Sequence, residues 1–579
     1  MWKILIKSVR EFRTPSILAP VSVTLEVIIE CIIPFITAQL ISQIQAECGI
    51  DVILKYGLLL LVMAAFSLMF GMFSGTACAK AASGFARNLR KDMFYNIQAF
   101  SFENIDRFSS SSLVTRLTTD VSNVQMAYMM IIRVAVRSPL MLVFAVVMSF
   151  VMGGKLALIF AFAIPFLGGG LFLIIRKAFP IFKRVFRKYD VLNRSIQENI
   201  QGIRVVKSFV REDYEKKKFE NAAEDVSAEF TKAEKILAFN APVMQFCLYV
   251  NMILILTFGS YMIISTQGIQ FEIGKLSSLM VYSFQTLMSL MMLSMVFVMI
   301  TIADESGRRI TEVLQEKSVL ENPEKPVFEV ENGAVDFTGV SFRYSEKAEL
   351  MALENIDLHI KSGETIGILG GTGSSKTSLV QLISRLYDVT EGSVRVGGVD
   401  VRDYDIETLR NQVAVVLQKN ILFSGTISEN LRWGNLQATD EELQEACRLA
   451  QADDFILQFP DGYQTHIEQG GTNVSGGQKQ RLCIARALLK KPKILVLDDS
   501  TSAVDTRTDA KIREALRDFI PDTTKIIIAQ RVASVQDADR IIMMDKGSIS
   551  AIGSHQELLE KSEIYREVFE SQNKVGEQE

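Results

Sequence analysis

The stretch ETIGILGGTGSSKTSLVQLISRL, residues 364–386, decides how the second half of the chain folds. It opens as an apolar β-type run (364–369), closes with helical spacing (376–386), and turns between them through Gly370-Gly371-Thr372-Gly373-Ser374-Ser375. Backbone amides in such a loop, with the helix N-terminus behind them, form a concave donor site for phosphate oxygens. Lys376 places a positive charge on that site, Thr377 offers a hydroxyl to Mg²⁺, and Ser378 completes the phosphate-binding set. Against the pattern GxxxxGK[ST], Ser375 stands where the last glycine belongs. Serine reaches helical angles without penalty, so nucleotide binding is expected to survive the change.

Downstream, the apolar strand 494–497 ends in Asp498-Asp499. Asp498 is placed to hold Mg²⁺, and the next residue to orient an attacking water. From residue 335 onward, short β-type runs alternate with helical stretches, which predicts an α/β P-loop domain with a mostly parallel sheet at 335–570, followed by a polar tail at 571–579. The linker 317–334 carries Pro323 and Pro326.

Residues 1–316 are of another kind. Stretches long enough to cross a bilayer as helices lie near 17–41, 56–79, 128–152, 156–175, 239–264 and 274–303, predicting an α-helical membrane domain of six spans. The whole-chain mean hydropathy of +0.22 averages this half with an ordinary soluble one. Segments 80–116 and 176–218 are strongly basic while the other connections are short and poor in arginine, so both termini and the α/β domain are expected on the cytoplasmic side. Residues 1–13 are too short and charged for a signal peptide and read as an amphipathic helix on the inner membrane face. The two basic excursions keep helical spacing and predict hairpin arms of roughly 40 Å, with tips near 106–113 and 202–212. A net charge of −4 gives no reason to expect nucleic acid, and six scattered cysteines without CxxC spacing indicate neither a disulfide framework nor a zinc site.

With these pieces in order, the chain resembles a half-transporter of the ATP-binding cassette exporter family over nearly its whole length. The resemblance implies ATP and Mg²⁺ as ligands. It matches Tyr344, in VSFRY, to the aromatic that stacks on adenine, and Gln418, in VVLQKN, to the glutamine that senses Mg²⁺ and the arms. Ser475, Gly476, Gly477 and Gln478 match the signature that grips ATP held by the opposite cassette, and Ser502-Ala503-Val504-Asp505 matches the loop coupling the two sites.

The departures from the family pattern concern catalysis. Members that hydrolyse at this position have glutamate where this chain has Asp499 and histidine where it has Gln530, and Gln469 replaces an acidic residue usual in exporters. Aspartate is one methylene shorter, and a misplacement of about 1 Å can cost on the order of a hundredfold in rate. The resemblance therefore implies the degenerate-site half of a heterodimeric multidrug exporter. Its partner would carry the intact glutamate and histidine in the bilayer of a bacterial plasma membrane, and its cargo would be hydrophobic or amphipathic small molecules. An importer of the siderophore type and an ATP-regulated membrane protein that does not transport remain as alternatives.

For substrate, the candidates are Glu26 and Glu30, one helical turn apart in the first span, and Met288 and Met292 in the sixth. The carboxylates fit either a cationic ligand or a structural role at a helix interface, and the methionines either an adaptable cavity or ordinary packing. Arg133 and Arg137, on one face of the third span, are expected to snorkel or pair.

Overall fold

The computed structural model describes residues 1–576 apart from 268, 270, 346, 347, 501 and 502. It divides into two units, one of residues 1–98 and 109–316, the other of 99–108 and 317–579.

The first unit is helical. Its long apolar helices are Arg13–Gln45, Ile50–Gln98, Val134–Gly153, Leu158–Gln201, Asn240–Ser265 and Ile273–Gln315, and each expected span falls on one of them, the third beginning in the preceding helix Val121–Ile132. Counted by length and apolarity alone there are five runs, because Ser110–Gln201 reads as one. Gly154, at φ 50° and ψ −118°, divides that run into the third and fourth spans. Ile50–Gln98 has 49 residues, about 70 Å of helix against a hydrocarbon core of about 30 Å, so the excess forms the first limb of the first arm. The second arm pairs Leu158–Gln201 with Glu212–Leu237 through Arg184–Glu229, Lys188–Asp225 and Lys218–Glu198, and turns over the short helix Ile203–Ser208.

The N-terminal segment is not the continuous amphipathic α-helix expected. A single turn, Trp2–Leu5, passes into a tighter 3₁₀ stretch, Ile6–Phe12, broken at Arg10 (φ 40°). The break lets Arg10 and Ser8 both bond Asp92 at 2.7 Å.

In the second unit a six-stranded sheet runs in the order Ser548–Gly553, Arg540–Asp545, Thr365–Gly370, Thr524–Ile528, Ile494–Asp498, Val413–Val416. All neighbours are parallel except the first pair. Its inner strands are buried on both faces, which is why they read as unbroken apolar runs such as Ile494–Leu497 and Ile526–Ile528. A separate antiparallel sheet of Leu353–Ile360, Val335–Phe342, Glu391–Val396 and Val399–Asp400 was not foreseen as distinct. The tail is also shorter than expected. Helix Glu563–Gly576 continues through 571–576, seated by the fully buried Tyr565, and 577–579 lie outside the described residues.

The tip of the first arm belongs to this second unit. Helix Phe102–Phe108 is tied to the linker by Asn104, which donates to Lys317 O at 3.0 Å and accepts from Val319 N at 3.3 Å. Asp106 accepts the Tyr387 hydroxyl at 2.7 Å. The tip therefore lies at 102–108, earlier than the expected 106–113, of which 109–113 fall in the first unit.

Candidate nucleotide site

Parallel register brings the phosphate-binding residues to one edge. Ile368 pairs with Ile528, Ile528 with Asp498, and Leu497 with Val416, so Gly370, Gln530, Asp499 and Gln418 all emerge at the carboxyl ends of adjacent strands. Ligands of open α/β sheets bind in the crevice outside those ends.

Within the loop, Gly373 has φ 84°, and beyond it Ser374 is buried, with its amide donating to Gly371 O at 3.2 Å. Ser375 does not take helical angles as expected. It sits at φ 69° and ψ 25°, the left-handed region where glycine is at home, and its side chain makes no capping bond to helix Lys376–Ile383. The loop geometry is kept at a conformational cost. Lys376 Nζ folds back on the loop, donating to Gly370 O at 2.8 Å, Gly371 O at 2.9 Å and Ser374 Oγ at 3.3 Å. Burial lowers its pKa, opposed by the charges of Asp498 and Asp499. Gly371 and Thr372 lie exposed at the loop crest.

Thr377 Oγ1 donates to Asp498 Oδ2 at 2.8 Å. Asp498 is 2% exposed, and burial raises its pKa, with Asp499 adding to the rise and the Thr377 bond and Lys376 opposing it. A hydroxyl and a buried carboxylate in contact are the hard oxygen donors that Mg²⁺ prefers, and a cation there would relieve the burial penalty. The residues thus fit the ion, with Gln418, exposed beyond the strand Val413–Val416, as a further oxygen donor at the same edge. Bound Mg²⁺ supplies charge neutralisation between phosphate oxygens.

Asp499 and Gln530 meet each other. Gln530 Nε2 donates to Asp499 Oδ2 at 2.7 Å, while Asp499 N donates to Ile528 O at 3.0 Å with the residue at φ 49°.

Tyr344 is 43% exposed, leaving a face for a base. Its hydroxyl shares a 2.8 Å bond with Ser378 Oγ, and its ring meets Tyr387 edge-on at 5.2 Å. A cleft of about 330 Å³ beside it is lined by Glu103, Arg343, Tyr344, Tyr387, Asp388 and Thr390. Burial, then the bond to Asp106, raises the Tyr387 pKa, which keeps the hydroxyl a donor.

The signature residues begin the helix Gly476–Leu488. Ser475 and Gln478 form a reciprocal capping box: Gln478 N donates to Ser475 Oγ at 3.3 Å and Ser475 N to Gln478 Oε1 at 2.9 Å. Ser475 and Gly476 are exposed. A Cβ on Gly477 would lie 2.8 Å from Ala503 O, so only glycine fits. Ala503 N donates to Gln480 Oε1 at 3.0 Å, fastening the coupling loop to the signature helix. Asp505 N-caps helix Thr506–Phe519, accepting from Thr508 N at 2.9 Å, and that bond is the first cause of its lowered pKa. Ser502 lies outside the described residues.

In the membrane unit, Glu26 and Glu30 are held by Arg137. Its Nη1 bonds Glu26, and its Nη2 reaches both Glu30 oxygens at 2.9 and 2.7 Å. The first and third spans are joined there by an ion triad. Met288 is half-buried and Met292 is 39% exposed.

Sequence reasoning overlooked Tyr387, Asn104, Gln480 and Gln572. Tyr387 carried a usable signal, an aromatic just beyond the phosphate-loop helix. The other three are amide side chains bonded to distant backbone, which no local pattern marks.

A helical membrane unit with long helical arms, followed by a P-loop cassette with its own signature helix, defines a half-transporter of exporter type. The chain belongs to the ABC transporter family: residues 16–317 match the ABC transporter transmembrane region and residues 353–502 the ABC transporter domain. It is 36% identical over 560 residues to the uncharacterized ABC transporter ATP-binding protein YfiB of Bacillus subtilis (strain 168), covering 96% of each chain. It is 35% identical over 546 residues to the uncharacterized ABC transporter ATP-binding protein MT1311 of Mycobacterium tuberculosis (strain CDC 1551 / Oshkosh), covering 93% of each. Its fold is similar to a bacterial Atm1-family ABC exporter solved with ATP bound, with TM-score 0.83, 23% identity, and coverage of 97% of this chain and 98% of that one. The chain is therefore an exporter-type ABC transporter subunit whose cassette carries the ATPase fold.

Proposed function

We propose that this chain is the degenerate-site subunit of a heterodimeric exporter that moves hydrophobic or amphipathic compounds out of the cell across the plasma membrane. The observation that carries the reading is the Asp499–Gln530 bond beside a fully formed signature cap. At the position for activating water, a short carboxylate is occupied by an uncharged amide, whereas Ser475 to Gln478 are pre-set to receive a phosphate. Two such chains would give two poor sites. One such chain with a partner bearing glutamate and histidine gives one fast site, completed by this chain's signature, and one that retains ATP on Lys376, Thr377 and Asp498.

In this cycle the tip helix Phe102–Phe108, bonded to Tyr387 next to the base-binding Tyr344, carries cassette movement into the first arm. The basic segments 80–116 and 176–218 support cytoplasmic cassettes and termini. The test is ATPase activity of the chain purified alone and with its co-purifying partner. Activity confined to the mixed complex and stimulated by amphipathic compounds is expected. Comparable activity in the lone chain overturns the asymmetric reading.

A further inference from the structure

The last described helix reaches back to the nucleotide edge. Gln572 Nε2 donates to Gln530 O at 2.9 Å, and Gln572 Oε1 accepts from Val532 N at 2.8 Å. One side-chain amide thus imitates a strand partner, satisfying the carbonyl before Arg531 and the amide after it, where the chain leaves the strand Thr524–Ile528. The clamp has a fixed base. Helix Glu563–Gly576 is seated by Tyr565, which is fully buried and whose hydroxyl bonds His555 Nδ1 at 2.6 Å. Phe569, one turn before Gln572, packs against the His555 ring at 5.1 Å.

We propose that Gln572 is a positioning residue for the nucleotide site: it fixes the backbone of 530–532 and thereby sets where the Gln530 side chain points. Gln530 bonds Asp499 at 2.7 Å, so the path from the C-terminal helix to the end of the strand Ile494–Asp498 runs through two side chains. Among the described residues, the hydrogen bonds of the Gln572 side chain go to Gln530 and Val532. It follows that the C-terminal helix is a handle on γ-phosphate recognition, and that anything binding or removing it alters ATP preference over ADP without altering base or α/β-phosphate binding.

The inference rests on the reading that Gln530, standing where hydrolysing family members carry histidine, offers its side-chain amide to the γ-phosphate, and the experiment separates the two. ATP and ADP affinities are measured for the full-length membrane complex with wild type, Q530A, Q572A, Q572E and the double variant Q530A/Q572A. Loss of one neutral hydrogen-bonding group amounts to about threefold to tenfold. Q572A is expected to weaken ATP by that factor while ADP stays within about twofold, so ADP affinity also reports that the cassette is folded. Q572E keeps an acceptor for Val532 N but loses the donor to Gln530 O, and falls between. Residues acting through one another are non-additive, so the double variant should match Q530A alone. Additive losses, an equal fall in ADP affinity, or no change in Q572A overturn the proposal. If Q530A itself leaves the ATP to ADP ratio unchanged, the role given to Gln530 fails, and this inference fails with it.

Discussion

Replacing Ser375 with glycine is expected to stabilise the cassette while leaving its nucleotide affinity nearly unchanged. The residue sits at φ 69° and ψ 25° and its side chain makes no capping bond in return. A non-glycine residue in that region costs about 1–2 kcal/mol. Glycine gives back about 0.5–1 kcal/mol of that through the greater freedom of its unfolded chain. The net gain is therefore about 0.5–1 kcal/mol. For a domain of this size, that raises an unfolding midpoint by about 1–4 °C. The left-handed angles belong to the folded loop itself, so the cost is assigned to folding and not to binding, and ATP affinity should move by less than about twofold. The assay is the cassette's thermal transition in detergent at a fixed scan rate, with ATP titrations on the same samples. S375A, which keeps the strain and loses only an unbonded hydroxyl, serves as the control and should stay within about 0.5 kcal/mol of the parent. A lower midpoint for S375G, or a large affinity gain with no midpoint change, would refute the reasoning, because either would mean that the loop is not held left-handed before ATP arrives.

Three further outcomes follow from the same structure. Burial raises the Asp498 pKa, so the folded state binds more protons than the unfolded one between the ordinary and the raised values, and stability falls as pH rises through that window. D498N should stabilise the nucleotide-free protein more at pH 8 than at pH 5 in thermal unfolding, while abolishing Mg²⁺-dependent ATP binding. R137M leaves the buried Glu26 and the half-buried Glu30 without their counter-charge and should cost about 3 kcal/mol or more, whereas E26Q/E30Q/R137M should recover most of it in detergent unfolding. Restoring glutamate and histidine together, as D499E/Q530H, should raise single-turnover hydrolysis at this chain's site by on the order of a hundredfold, and an unchanged rate would show that side-chain reach is not what limits it.

Most of the fold was legible because its signals are local. Spans are long and apolar, buried parallel strands are continuous runs, and the phosphate loop lies between a strand and a helix with lysine and threonine at fixed offsets. Ser375 was misjudged because the pattern shows which residue is missing but not the sign of the φ that glycine was supplying. The first arm's tip was placed too late, since the position of the turn depends on Asn104 capturing Lys317 and Val319, more than two hundred positions away. The separate antiparallel sheet was hidden for a related reason: its strand Val335–Phe342 carries register shifts on both edges, which blur the alternation that would have revealed it. The pairing of Glu26 and Glu30 with Arg137 was not foreseen, the carboxylates having fitted either a cationic ligand or a helix interface, because spacing along a single helix does not say what stands opposite.

That triad also bears on how the protein is made. Glu26 and Glu30 are synthesised 107 or more residues ahead of Arg137, which at about 5–20 residues per second leaves them without their counter-charge for roughly 5–20 s. Each carboxylate near a helix centre disfavours insertion by about 2.5–3.5 kcal/mol. The first span is therefore expected to wait, partly hydrated or sheltered by the insertion machinery, until the third is translated, so that its commitment to the bilayer lags its own synthesis and is set by a residue in a different helix.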